Sequence, residues 1–407
     1  MNVELLVPER RVVPLADLSS HIAREAACIP FDPAMLDAVA DLSQRIFRDP
    51  AARRYPELIA LAYSMRKTEL ARLHEQFDAL ARKDRILAPR GLVFHVPPRN
   101  VDTMFVYSWL LAALTGNRNV IRLSPQRSDS SETLLGVFRE ALAAAPEPVN
   151  GSTVVLSYGH EEEPTALLSS ICDLRVVWGG DAAVAAIRRA SLAPHARELT
   201  FPDRYSMAAI SSAAWLALDG SGKRGLAERF FNDSFWFDQL ACSSPRLVVW
   251  CGERAQSEIA SRELFDLISA YASSRGYTLP PAVAMRKLVF ACSEIADKPV
   301  SAYRRSEDVT VLTLDSLNDF DREHPGGGLF MEAYIRSLGE IDAILQRRDQ
   351  TLTYFGFEPH ELHALARRLN GRAIDRIVPI GQALEFQRFW DGYDLMHEFC
   401  RHVYVGA

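Results

Sequence analysis

The stretch Asp238-Gln239-Leu240-Ala241-Cys242-Ser243-Ser244 sets a thiol between an aromatic run, Phe235-Trp236-Phe237, and an apolar run, Leu247-Val248-Val249-Trp250. The apolar run predicts a strand. Cys242 therefore falls on the turn before it, where a rigid scaffold tends to display reactive groups. A core cysteine lies more often inside such a run. A thiolate there can act as a nucleophile and later as a leaving group. Cys28, Cys172, Cys251, Cys292 and Cys400 read instead as small buried hydrophobes. No pair of the six cysteines has CxxC spacing, so neither a disulfide framework nor a zinc site is expected.

Other motifs fail on inspection. Residues 219–225, DGSGKRG, have Arg224 after Lys223 where a phosphate loop needs Ser or Thr, and read as a surface turn. No GxGxxG follows a strand, and no GxSxG elbow is present. The run REHPGGGL, 322–329, matches neither a metal nor a phosphate motif.

The elements that must position Cys242 alternate along the chain. Residues 34–85 have helical apolar spacing. From 91 on, GLVFHV is a strand, PPRN a turn and VDTMFVYSWLLAALTG a helix that Gly116 ends. NVIRLS is the next strand, SDSSETLLGVFREALAAA a helix with a good N-cap, and STVVLSY and DLRVVWGG are further strands. This alternation indicates a parallel sheet with helices on its faces. After SMAAISSAAW a second unit begins, holding GLAERFFNDSFWF, the cysteine turn, RLVVWC, SEIASRELFDLISAYASS, VTVLTL, HPGGG, TLTYFGF and PHELHALARRLNG. A chain of 407 residues accommodates two to three domains at ~150 residues each. A net charge of −6 leaves no footprint for a nucleic acid. No run reaches the ~20 apolar residues of a membrane span, and the N-terminus lacks the order of a signal peptide. A cytoplasmic protein is expected.

Taken in order, GLVFHVPPRNVDTMFVYSWLLAALTGNRNVIRLSP (91–125), DLRVVWGGDAAVAAIRRA (173–190), FDQLACSSPRLVVW (237–250) and RIVPIGQALEF with FWDGYDL (376–395) resemble the aldehyde dehydrogenase superfamily. Within it they are most similar to the LuxC-type fatty acyl-CoA reductases. The resemblance implies an α/β fold: a Rossmann-type cofactor domain with N-terminal helices over 1–207, an α/β catalytic domain over 208–390, and a C-terminal oligomerisation tail over 391–407. It further implies NADPH-dependent reduction of a long-chain acyl-CoA or carrier-bound acyl group to the aldehyde, in a homodimer or homotetramer. An acyltransferase or synthetase is the implied partner.

Residue by residue, Cys242 carries the acyl group, and Asn100, from the Pro-x-Asn turn, donates to the oxyanion beside the Cys242 backbone N–H. Arg122 stands where the superfamily has a lysine at the adenosine ribose, with Ser124 following. Pro125 replaces the glutamate of NAD-preferring members, so Arg122, with Arg127 nearby, favours a 2′-phosphate. Gly179 and Gly180 let the backbone approach the pyrophosphate at a helix N-terminus, with Asp181 as a helix cap. Glu198 and Leu199 are what remains of the hydrolytic enzymes' Glu-Leu-Gly-Gly-Lys segment, which leaves Glu198 a structural or proton-handling residue. Tyr107, Trp109, Phe235, Trp236 and Phe237 are candidate walls for an acyl chain. Two rival readings are a cysteine acyltransferase or thioesterase without redox chemistry, and a non-catalytic subunit on the same fold.

Overall fold

The computed structural model describes residues 1–22, 27–82 and 84–406. The chain divides into two compact units, Met1–Pro202 with Phe386–Ala407, and Asp203–Glu385.

In the first unit β1 (Asn2–Val7) and β2 (Arg11–Pro14) precede three helices, α1 (Pro33–Arg48), α2 (Pro56–Ser64) and α3 (Lys67–Asp78). There follow β3 (Arg85–Pro89), β4 (Leu92–Val96), α4 (Met104–Leu114), β5 (Arg118–Leu123), α5 (Asp129–Ala144), β6 (Thr153–Ser157), α6 (Glu162–Ile171), β7 (Leu174–Trp178), α7 (Asp181–Arg188) and β8 (Arg197–Phe201). The sheet order is β2-β1-β6-β5-β4-β7-β8. β6, β5, β4, β7 and β8 run parallel, whereas β1 and β2 are antiparallel additions at one edge. The order reverses about β4, so the carboxyl ends of β5, β4 and β7 frame the crevice that doubly wound sheets use for ligands.

Composition explains these elements. β4, β6 and β7 are buried at every position, as strands covered on both faces must be. α4 is apolar nearly all round and buried along its length. Gly116, φ 83°, turns the chain out of it; a Cβ there would lie 2.3 Å from the Cys28 carbonyl oxygen. Ser128 caps α5 by accepting from the Ser131 N–H at 3.0 Å.

The second unit holds β9 (Tyr205–Ser211), α8 (Ser212–Leu216), α9 (Gly220–Phe235), β10 (Pro245–Cys251), α10 (Arg254–Ser274) and α11 (Pro281–Asp297). After these come β11 (Val300–Arg305), β12 (Thr310–Leu314), β13 (Leu329–Ile335), β14 (Asp349–Phe355), α12 (Pro359–Leu369) and β15 (Arg376–Pro379). Its order is β11-β12-β13-β10-β9-β14-β15, parallel except for β11. The last segment, β16 (Phe389–Trp390), β17 (Tyr393–Asp394), α13 (Leu395–Glu398) and β18 (Cys400–Tyr404), returns to the first unit. There β18 pairs antiparallel with β3. Arg90 fastens the turn before it, donating to the Glu398 and Cys400 carbonyls at 2.7 and 2.6 Å.

Several expectations need correction. The two units are bounded at 202/203 and 385/386, five residues from each expected boundary, with β9 starting at Tyr205 between β10 and β14 and Phe386 packed on Tyr107. Residues 391–407 are not a separate tail but part of the first unit. The DGSGKRG stretch opens α9, with Asp219 as N-cap accepting from the Gly222 N–H at 2.7 Å. The helical pattern over 57–81 breaks into α2 and α3 at Met65–Arg66.

A polar network crosses the core of the first unit. His95, fully buried on β4, contacts Ser108 Oγ at 2.7 Å and Asn119 Oδ1 at 3.0 Å. Asn119 Nδ2 donates to the Asn117 carbonyl, so its oxygen faces His95 Nε2–H, and Nδ1 accepts from the serine hydroxyl. Burial drives the His95 pKa down to about 4. A histidine held neutral in the fold and free to charge when unfolded loses its stabilising effect as pH falls from about 6.5 to about 4. The drop in unfolding free energy across that window should reach about 3 kcal/mol from this group. Urea titrations at pH 7 and pH 4 should show a smaller drop for His95→Gln than for wild type. Equal drops would mean that His95 is not the neutral buried group described.

Candidate active site

Cys242 lies in the second unit, on the turn between α9 and β10, and is partly exposed. The loop around it is tied down at nearly every residue. Ser206, buried on β9, donates through Oγ to the Cys242 carbonyl at 2.7 Å and accepts from the Thr351 N–H at 3.2 Å. Ser244 Oγ donates to the Asp233 carbonyl at 2.7 Å. Asp238 and Gln239 are both left-handed, φ 49° and 63°, which costs a non-glycine residue of order 1 kcal/mol and needs outside support. That support comes from residues 326–328. The Gly327 N–H donates to the Asp238 carbonyl at 2.8 Å and the Gly328 N–H to Gln239 Oε1 at 3.1 Å. Gln239 Nε2 in turn donates to the Pro245 carbonyl at 3.0 Å, and Tyr277 donates to Asp238 Oδ1 at 2.7 Å.

The other thiols stand in contrast. Burial pushes Cys172, Cys251 and Cys400 up to about 12 and raises Cys28 as well. None of these four is suited to be a thiolate near neutrality. Cys292 is exposed on α11, away from any turn.

In the first unit the expected oxyanion donor Asn100 and three of the expected cofactor residues, Ser124, Gly179 and Gly180, lie at the carboxyl edge of one sheet. Asn100 is exposed on a bend after β4, Ser124 follows β5, and Gly179 and Gly180 follow β7. Between the ends of β4 and β5 opens a cleft lined by Pro97, Pro98, Arg99, Ser124, Gln126 and Arg127. Gly180 is the N-cap of α7 and Asp181 stands in its first turn, so Asp181 is not the cap. A Cβ on Gly179 would come within 3.3 Å of Ala183 Cβ. This helix start at the carboxyl end of β7 would offer its N–H groups to a dinucleotide pyrophosphate, with the Asp181 carboxylate standing in its first turn.

Arg122 is half-buried, donates to the Gly159 carbonyl and lies 5.3 Å from the Tyr158 ring centroid. Arg127 is committed to the fold: it donates to Glu132 at 2.6 Å and to Ser124 O and Ser157 Oγ at 2.9 Å each. It therefore drops out as a phosphate ligand. Arg99, unmarked by sequence, is exposed at the cleft with Nη1 on Gln126 Oε1 at 2.6 Å.

Glu198 does not join this group. It pairs in register with Arg175 near the amino end of β7. Gly179 lies four residues further on, roughly 13 Å at ~3.3 Å per residue. Arg175 Nε donates to Glu198 Oε2 at 2.8 Å and Arg188 Nε to Oε1 at 2.6 Å. A carboxylate held on both oxygens by arginines braces the sheet, and no proton-handling role is carried forward. Of the expected acyl-chain walls, Trp109 is core, bonded to Thr153 Oγ1, and so is Phe235. Tyr107 packs edge-on against Trp178, Phe386 and Trp390. Trp236 and Phe237 are half-exposed beside the cysteine loop. Among the described residues there is no cluster of metal-ligating side chains, and no helix long and apolar enough to cross a membrane.

Two largely parallel sheets with these strand orders are those of the aldehyde dehydrogenase fold. A putative aldehyde dehydrogenase from Burkholderia cenocepacia superposes with a TM-score of 0.66 at 14% identity, covering 100% of this chain and 96% of that one. Aldehyde dehydrogenase 21 from Physcomitrella patens gives 0.64 at 12% identity, over 96% and 87%. Within that fold the chain belongs to the family described as acyl-CoA reductase (LuxC), whose profile matches residues 68–285. A long-chain acyl-protein thioester reductase of Aliivibrio fischeri is 27% identical over 334 residues, 78% of this chain and 64% of its own length. Its counterpart in Vibrio harveyi is 23% identical over 357 residues, 84% and 69%. The chain thus spans about two thirds of the length of these relatives.

The arginine clamp yields a test. Glu198→Ala leaves Arg175 a buried charge with one partner fewer, which should cost about 3 kcal/mol of stability. Turnover of the folded protein should stay within about twofold of wild type, since a surface or scaffold change leaves transition-state contacts intact. Thermal melts with single-turnover rates check both; a stable variant with abolished turnover would restore Glu198 to the chemistry.

Proposed function

We propose that this protein reduces a long-chain acyl thioester to the aldehyde with NADPH, through an acyl group carried on Cys242. The observation that carries this is the placement of Cys242, a partly exposed thiol on a tightly held turn, in a chain of the acyl-CoA reductase family. The Cys242 thiolate attacks the thioester carbonyl carbon; the bond to the carrier sulfur breaks, and the carrier thiolate leaves and takes a proton. When bound, with Ser124, Gly179 and Gly180 to hold it, NADPH would supply the hydride. The acyl carbon accepts that hydride and its oxygen a proton, leaving a thiohemiacetal on Cys242, which collapses to free aldehyde and thiol. The Cys242 backbone N–H is a donor for the oxygen that gains charge; such a donor is worth roughly 100-fold or more in rate.

The carrier is CoA or a protein, consistent with the family's description and the relatives' names. Half-exposed Trp236 and Phe237 beside the thiol suit an apolar acyl group. Exposed Ile86, Val403 and Tyr404 on the β3–β18 ribbon support association of copies through it.

Incubation with labelled long-chain acyl-CoA, without NADPH, should leave a hydroxylamine-sensitive label on the peptide holding Cys242. Label that persists in Cys242→Ala sinks the assignment.

Cofactor choice rests on position 125. Proline there neither repels a 2′-phosphate nor accepts from a 2′-hydroxyl, and Arg99, exposed at the cleft, supplies positive charge. Charge-assisted hydrogen bonds of ~1.5–3 kcal/mol translate to a preference of roughly ten- to hundredfold for NADPH. Catalytic efficiencies with both cofactors should show that preference in wild type and its collapse in Pro125→Glu. Wild-type preference for NADH, or a ratio unmoved by the carboxylate, would refute it.

A further inference from the structure

The turn His324-Pro325-Gly326-Gly327-Gly328 belongs to no ligand motif, yet three consecutive glycines are all left-handed, φ 76°, 68° and 73°. Their geometry has a local purpose. A Cβ on Gly326 would sit 2.7 Å from the Asp238 carbonyl oxygen, and one on Gly328 2.4 Å from the Asp308 oxygen and 2.8 Å from the Phe235 ring. The turn is thus pressed against the loop that leads into Cys242. It is stapled internally by His324, whose Nδ1 accepts from the Gly326 N–H at 3.0 Å and whose Nε2–H donates to the Leu329 carbonyl at 2.7 Å. With burial as the larger cause and Arg246 assisting, the imidazole stays neutral, at about 3.

One side chain links this turn to the far end of the cysteine loop. Gln239 is fully buried; its carbonyl oxygen takes the Gly328 N–H and its amide nitrogen reaches the Pro245 carbonyl. Arg246, next along β10, donates to the Gln239 main-chain carbonyl at 3.4 Å and to that of Arg204 at 3.2 Å. Cys242 therefore sits in a short arc whose two feet, Gln239 and Pro245, are joined by one carboxamide. A side chain of another length or polarity cannot join both feet.

We infer that Gln239, braced by the His324–Gly328 turn, is the positioning residue for the Cys242 thiol: it fixes the arc so that the sulfur is held ready for attack. The inference rests on the proposed role of Cys242 and goes further by naming what sets its geometry. Misplacing a reacting atom by ~1 Å can cost about 100-fold in rate. A residue that only added stability would leave the folded enzyme's thiol reactivity unchanged.

The test is alkylation of the full-length protein by iodoacetamide across pH, followed by peptide mass spectrometry, with exposed Cys292 as an internal reference. In Gln239→Ala the rate at Cys242 should fall about tenfold or more near neutral pH and its pH profile should shift, with Cys292 unchanged. Turnover with acyl-CoA should fall by a similar factor while the Michaelis constant for NADPH holds. Gln239→Glu keeps the acceptor for Gly328 and, when protonated, a donor for Pro245. It should lie between wild type and Gln239→Ala, and recover toward wild type as pH is lowered. Should Gln239→Ala lack a cooperative melt, Gln239→Glu decides by the same readings. Folded variants whose Cys242 profile and turnover match wild type overturn the inference. A wild-type protein that reduces no acyl thioester would overturn the proposed function, while the Cys242 to Cys292 contrast would still decide the role of Gln239.

Discussion

Between Phe235 and Pro245 the chain is neither helix nor strand, and much of it is buried, so its peptide groups need partners that regular structure does not supply. Most of the second unit's detail follows from that requirement. Ser206 serves one carbonyl, the triple-glycine turn serves another, and Gln239 links the two ends. Asp233, buried at the end of α9, accepts from the Gly381 and Ala383 N–H groups at 2.6 and 3.0 Å, which brings the 380–383 turn to the same helix. Two consecutive left-handed residues persist here because their surroundings over-determine them. The thiol inherits that rigidity.

The first unit solves a different problem. Parallel strands with both faces covered leave only their ends to meet a ligand, and at the carboxyl ends the chain changes from strand to turn or helix. Asn100, Ser124 and the Gly179–Gly180 pair all occupy such changes. The charged residues divide by location. Glu198, at the opposite end of the strands, is enclosed by two arginines, and Arg127 is absorbed by Glu132 and two serines. Charge near the crevice that is not so absorbed lies on Arg99, which the cleft exposes.

Much of this was legible in the residues, and the failures have physical reasons. Fully apolar strands such as β4 and β7, and an N-cap serine at 128, announce themselves through local chemistry. So did Cys242, whose sequence neighbours were right for a turn. Missed were features that depend on distant partners. β1 and β2 are short strands at one side of the sheet, and their identity comes from the pairing of β1 with β6 and of β2 with β1. DGSGKRG has a glycine-rich composition that suggests a turn, but Asp219 and the packing of Phe230 and Phe231 make it a helix start. The importance of HPGGG could have been suspected from three adjacent glycines, a backbone shape no other residue adopts cheaply. The partners it holds in the cysteine loop, Asp238 and Gln239, lie 89 residues earlier in the chain and could not be read from it.

The pairing of β18 with β3 also bears on synthesis. The second unit is contiguous, Asp203–Glu385, and can close once its last strand has left the ribosome, whereas the first unit awaits Phe386–Ala407. Until then β3 lacks its partner and Arg90 lacks the two carbonyls it later holds. The unit that starts first on the ribosome closes after the one that follows it, and a nascent chain stalled before β18 emerges would display an unpaired β3 to chaperones or proteases.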